Sequence, residues 1–89
     1  MNIYKYQLPD SPSVLELKES INGFEPLCVQ VQNGHPMLWA EVAPDESRTL
    51  TIRIAAVMTG QKAPHDSIYL GTALLEGDSF VLHYYQLTK

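Results

Sequence analysis

The sequence predicts a single all-β domain of about six mainly antiparallel strands, built as one curved sheet, a small sandwich or a half-open barrel. Three observations lead there. Apolar side chains recur with a period of two along most of the chain, which is strand spacing and not helix spacing. Asn33-Gly34 sits between two alternating segments, and both of its positions tolerate positive φ, so it is a strong two-residue hairpin signal. Turn-forming residues then cut the rest of the chain into short lengths. With 89 residues there is material for one core, so residues 1–89 are read as one domain.

Taken in order, residues 2–8 read as a first strand with Tyr4, Tyr6 and Leu8 on one face, stopped by Pro9, Asp10, Ser11 and Pro12. Residues 13–18 read as a second short strand with Leu15 and Leu17 inward, with one helical turn as the alternative. Asn22-Gly23 marks a turn. Residues 26–43 form the central hairpin. Placing Asn33-Gly34 in its turn sets Gln32 opposite His35, Val31 opposite Pro36, Gln30 opposite Met37, Val29 opposite Leu38 and Cys28 opposite Trp39. Alternation then puts Leu27, Val29, Val31, Leu38, Ala40 and Val42 on a core face, and Cys28, Gln30, Gln32, His35, Met37, Trp39 and Glu41 on the other. Pro44 to Ser47 turns the chain. Residues 48–57 form a long strand with Leu50, Ile52, Ile54 and Ala56 inward and Arg53, Thr49 and Thr51 outward. Residues 58–66 are a loop. Residues 67–75 and 79–87 make a second hairpin around Gly77-Asp78, closed by a two- or three-residue loop.

Composition narrows the function. Hydrophobic residues make up 45% of the chain and charged residues 18%, which fits a packed domain and not a disordered one. Ten acids against six bases give a net charge of −4, and Lys5, Lys18, Arg48, Arg53, Lys62 and Lys89 are scattered singly. A nucleic-acid backbone demands clustered bases, so no nucleic-acid partner is expected. A small anion needs only one or two. Cys28 is the lone cysteine and has no internal disulfide partner. Met1 to Leu8 lacks the apolar core of a signal peptide, and no apolar run approaches a membrane span. A cytoplasmic protein with no membrane partner is expected.

No phosphate loop, dinucleotide-binding glycine motif, zinc-spaced Cys/His set or H-E-x-x-H is present. His35, His65 and His83 are far apart in sequence, and Cys28 lies in mid-strand, where a thiol is ordinarily inert. The expectation is therefore a protein without catalytic residues, metal or cofactor. Trp39 reads either as packing on a sheet's second face or as a stacking platform. With Gln30, Gln32 and Met37 beside it, it marks an interface. Arg53 is the only charge between Leu50 and Met58, and it reads either as a solvated-face residue or as an anchor whose fork suits an anionic group. Thr59, Gly60, Gln61, Lys62 and His65 form a loop whose glycine lets backbone N–H groups approach an anion. His83, between Leu82 and Tyr84, reads as a hydrogen-bonded histidine on a sheet face. Tyr69, Tyr84 and Tyr85 suit cores and interfaces alike.

Several segments carry a resemblance: Ile3-Tyr4-Lys5-Tyr6, Val29-Gln30-Val31-Gln32, Gly34, Pro36, Leu38-Trp39-Ala40-x-Val42-x-Pro44, Thr59-Gly60, Tyr69-x-Gly71-Thr72 and Val81-x-His83. Together they resemble a family of small phage- and prophage-encoded proteins of unknown function, over nearly the whole chain. The family often has a fuller T-G-x-G or G-T-G-H stretch where this chain has Thr59-Gly60-Gln61-Lys62. The resemblance implies a phage context, hence the host cytoplasm, and does not imply an enzyme. By analogy with small acidic phage proteins that lack catalytic sets, stoichiometric action against host defence is expected. The expected function is a homo-oligomeric anti-defence binding protein that sequesters a small anionic, nucleotide-derived signal. Arg53, Trp39, Lys62 and Gln61 would carry that binding, with Thr59, Gly60 and His65 behind them. The alternative is an inhibitor or accessory module that contacts a host defence protein through the Trp39, Met37 and Gln30 face.

Overall fold

A computed structural model describes all residues, Met1–Lys89. It has seven strands and no helix: β1 (Asn2–Gln7), β2 (Ser13–Glu19), β3 (Ile21–Gln32), β4 (His35–Pro44), β5 (Leu50–Met58), β6 (Ser67–Leu75) and β7 (Phe80–Leu87). No helix is therefore long and apolar enough to cross a membrane. Two antiparallel sheets form, a three-stranded one in the order β1-β4-β3 and a four-stranded one in the order β2-β5-β7-β6. The sheets pack as a sandwich. This settles the three architectures left open by the sequence, and the seven strands correspond to the segments marked out there, where about six were expected.

Strand β3 is longer than expected, because it runs through Asn22-Gly23. Here the sequence reading was wrong: the pair does not end an element but lies inside β3. A bulge between Ile21 and Phe24 absorbs the positive φ of Gly23 (143°), so the strand continues through it. Ser20 alone then links β2 of one sheet to β3 of the other. Residues 13–18 are strand, not a helical turn, with Leu15 and Leu17 turned toward the core.

The central hairpin has the predicted register at all five predicted pairs, Gln32↔His35 through Cys28↔Trp39. Asn33 (φ 52°) and Gly34 (φ 79°) supply the two positive-φ positions such a turn requires. Leu38, Ala40 and Val42 are fully buried, and Trp39 and Met37 point the other way and are half-buried. Two members of the predicted core face are not in the core. Leu27 is the extra residue of a second bulge, between Pro26 and Cys28, and is 50% exposed. Val31 lies near the turn and is 40% exposed.

Strand β5 starts at Leu50, leaving Arg48 and Thr49 in the preceding turn, and buries Ile52, Ile54 and Ala56. The second hairpin is wider than predicted. Leu75 pairs with Phe80, so Glu76, Gly77, Asp78 and Ser79 form a four-residue loop with the first three at positive φ.

The main core joins Leu38 of one sheet to Ile52, Ile54, Ala56, Ala73, Leu75, Leu82 and Tyr84 of the other, with Leu8 below. Tyr84 is the largest fully buried side chain. Its hydroxyl donates to the Pro9 carbonyl at 2.7 Å, so its one polar atom is satisfied while it ties β7 to the β1–β2 connection. A smaller core of Ile21, Ala40 and Val42 packs with Tyr4, Tyr6, Phe24 and Leu50. Along one flank β3 and β6 run side by side. There Gly71, at a bulge in β6, faces Val29: a Cβ on Gly71 would sit 2.7 Å from the Val29 Cβ. Only glycine permits that approach.

Candidate functional site

Pairing fixes which side chains share the outer face of the four-stranded sheet. Val57 of β5 lies opposite His83 of β7, and His83 lies opposite Thr72 of β6. None of these three is on the core side, because their neighbours Ala56, Leu82, Tyr84 and Ala73 are the buried ones. Thr59 is two residues past Val57, so alternation carries it to the same face, just beyond the end of β5.

The consequence is a continuous chain of hydrogen bonds. Thr59 Oγ1 is 2.8 Å from His83 Nε2, His83 Nδ1 is 3.0 Å from Thr72 Oγ1, and Thr72 Oγ1 is 2.5 Å from the Tyr69 hydroxyl. Two proton orders satisfy this chain with a neutral imidazole. In one, Tyr69 donates to Thr72, Thr72 donates to Nδ1, and Nε2–H donates to Thr59, whose own proton is free for an acceptor outside. In the other every donor is reversed, and the free proton sits on Tyr69. The His83 tautomer thus decides whether Thr59 offers a donor.

Thr59 opens on a shallow hollow of about 210 Å³ lined by Val57, Met58, Thr59, Gly60, Gln61, Ala63, His83 and Tyr85. Its shape comes from a tight turn. The Gln61 amide donates to the Met58 carbonyl at 3.0 Å, and the Gln61 side-chain oxygen accepts from the Met58 amide at 2.7 Å. That leaves the Gln61 NH₂ as a donor. Gly60, with φ of 97° and nothing within 4 Å of a notional Cβ, leaves the turn open to solvent. No carboxylate lines the hollow. A larger cavity of about 450 Å³ lies at the sandwich end between Asp10, Gly34, His35, Leu75, Glu76 and Phe80. Its two acids disfavour an anion. No three His, Cys, Asp or Glu side chains gather as a metal-holding group.

The structure brings together only part of the set singled out from sequence. Thr59, Gly60 and Gln61 line the hollow, while Lys62 and His65 are exposed in the same loop without lining it. Arg53 is on the outer face of the four-stranded sheet, opposite Glu16, and donates to the Lys89 carbonyl at 3.3 Å. Trp39 is on the outer face of the other sheet, beside Lys5 and Cys28. Arg53 and Trp39 therefore occupy opposite sides of the molecule. Gln30, Gln32 and Met37 share the Trp39 face, where Lys5 Nζ donates to Gln32 Oε1 at 2.9 Å across β4. Sequence reasoning missed Thr72 and Tyr69 as partners, although His83 as a hydrogen-bonded sheet histidine is what the structure shows.

The fold and site define a class: a seven-stranded antiparallel β-sandwich with a polar relay on the outer face of its larger sheet. The chain belongs to the DUF7352 family, a domain of unknown function, whose model matches residues 1–89. No curated protein and no solved structure matches the chain. Three segments separate in sequence, Thr59-Gly60, Tyr69-x-Gly71-Thr72 and Val81-x-His83, converge on this relay.

Proposed function

We propose that the chain is a non-catalytic, phage-type binding protein that holds a small anionic, nucleotide-derived ligand at the hollow beside His83. The observation that carries this reading is the Thr59–His83–Thr72–Tyr69 chain ending in a hydroxyl at a carboxylate-free concavity. An anionic acceptor entering the hollow selects the order in which Thr59 donates, and the open Gly60 backbone and the Gln61 NH₂ stand beside it. Lys62, next in the loop, contributes charge at the rim. At about 210 Å³ the hollow falls below the ~300–1,000 Å³ of sites that enclose a whole drug-sized ligand. It therefore takes one anionic group, with the rest of the ligand lying over Tyr85. Stacking falls to Tyr85 because Trp39 is on the far sheet. The phage setting, and with it a role in sequestering a host defence signal, is supported by the motif resemblance.

A second reading has its own observation. Ile3 is 64% exposed on the Trp39 face, opposite half-buried Glu41 and two residues along β1 from the Lys5–Trp39 pair. That surface suits direct contact with a host protein.

A thermal-shift screen against linear and cyclic nucleotides tests the first reading. At a ligand concentration of 100 Kd the stabilisation is about 2.7 kcal/mol, which for a domain of this size raises Tm by roughly 10–20 °C. The shift should vanish in Thr59→Val and persist in Trp39→Ala and Arg53→Ala. Failure of every nucleotide, or loss of the shift in Trp39→Ala alone, overturns it.

A further inference from the structure

The sandwich has four edge strands, and they are not treated alike. On one flank β3 carries Pro26 and two bulges, β6 carries a bulge, and the two run against each other at Val29 and Gly71. Bulges, proline and mutual cover are the devices by which sheets block further pairing. The other two edges, β1 and β2, lie at the far end of each sheet from that contact. Each pairs with one neighbour only, without a bulge or an internal proline. Their outward backbone groups are an unblocked template for another strand.

Strand β2 also carries a charge pattern that selects its partner. Glu16 and Lys18 are both exposed on the outer face, and Glu16 makes no ion pair with Arg53 opposite it. Antiparallel pairing of β2 with itself has few registers that keep the core face inward. Centred on Glu16, it sets Glu16 against Glu16. Centred on Leu15, it sets Glu16 against Val14. Centred on Leu17, it sets Glu16 against Lys18 of the second copy twice over, with Leu17 against Leu17 on the inner side. Cross-strand opposite charges stabilise a pair and like charges oppose it.

The geometry points to a two-fold homodimer formed by antiparallel β2–β2 pairing about Leu17, which joins the two four-stranded sheets into one of eight strands. This interface goes beyond the ligand reading and is separate from both the hollow and the Trp39 face.

The test is sedimentation analysis over a concentration series of the full chain, with far-UV circular dichroism to verify folding. Wild type should dimerise reversibly. Glu16→Lys and Lys18→Glu each convert two attractive contacts into two repulsive ones, so each alone should weaken the dimer about tenfold or more. Mixing the two variants should restore dimer, as should the double variant E16K/K18E, because opposite charges again face each other. A wild type that is monomeric throughout overturns the proposal. So does a dimer indifferent to both single reversals, or one that the mixture fails to restore. Nucleotide binding at the hollow has no bearing on any of these outcomes.

Discussion

Replacing Gly71 with alanine tests the closeness of the two sheets at their shared flank. The new Cβ would lie 2.7 Å from the Val29 Cβ and 3.0 Å from its Cγ2. The first neighbour is the atom that matters. A Cβ is fixed by the backbone and cannot rotate away, so β3 and β6 must part by about 1 Å to restore ordinary carbon contact. Overpacking of this kind costs typically about 1–3 kcal/mol, and a clash that only backbone motion can relieve belongs at the upper end. For a domain of this size, 2–3 kcal/mol corresponds to a Tm loss of roughly 10–20 °C. Gly77→Ala is the control. Its φ is 64° but nothing lies within 4 Å of its notional Cβ, so it bears only the left-handed backbone penalty of about 1–2 kcal/mol. Thermal unfolding of both variants, followed by circular dichroism, provides the comparison. If Gly71→Ala proves no more harmful than Gly77→Ala, the sheets do not meet as described.

Tyr84→Phe should destabilise by about 1–2 kcal/mol, measured by urea unfolding, because the Pro9 carbonyl loses its donor. Tyr6→Phe should cost less than Tyr84→Phe at pH 7, since the Tyr6 hydroxyl is shielded from water and makes no well-formed hydrogen bond, with only the Glu19 carboxylate close by. The same two side chains set the alkaline limit. Burial and the nearby Glu19 carboxylate push Tyr6 up to about 12, and burial, aided by Asp10, pushes Tyr84 upward as well. Both folded-state values exceed the unfolded one near 10, so stability should hold up to about pH 10 and fall as pH rises toward 12. A chemical-denaturation series across that range would instead show stability independent of pH if both phenols ionised near 10 in the folded chain. Thr72→Val, which keeps shape and removes the hydroxyl between Tyr69 and His83, should cost about 1 kcal/mol. It should also leave His83 with a mixture of tautomers, visible in its ring ¹⁵N shifts.

The parts of the fold legible in sequence were the local ones. A two-residue turn with both positions at positive φ sets a hairpin register without reference to anything distant, and the β3–β4 pairs follow from Asn33-Gly34 alone. Alternation likewise places Leu38 inside and Trp39 outside, and Ile52 and Ile54 inside with Arg53 outside. What alternation cannot supply is the sheet to which a strand belongs. Grouping Arg53 with Trp39 assumed that two outward side chains share an outside, and a sandwich has two. Bulges were illegible for a related reason. An extra residue at Leu27 is tolerated by the partner strand and nothing in its identity announces it, while Gly23 signals a positive φ that serves a turn or a bulge equally. The relay was half-visible: Thr59 and His83 stood out as polar groups at a strand end and on a sheet face. Their meeting depends on β5, β7 and β6 lying side by side, a long-range pairing.

The most direct measurement is a ligand titration of the ¹⁵N-labelled chain by nuclear magnetic resonance, reading backbone shifts and the His83 ring nitrogens together. The nucleotide that raises Tm most should move the Thr59, Gly60, Gln61 and Tyr85 signals and drive His83 to the tautomer with its proton on Nε2. Shifts confined to the Trp39 and Met37 face, or a His83 ring that does not respond at saturation, would contradict a site built on the relay.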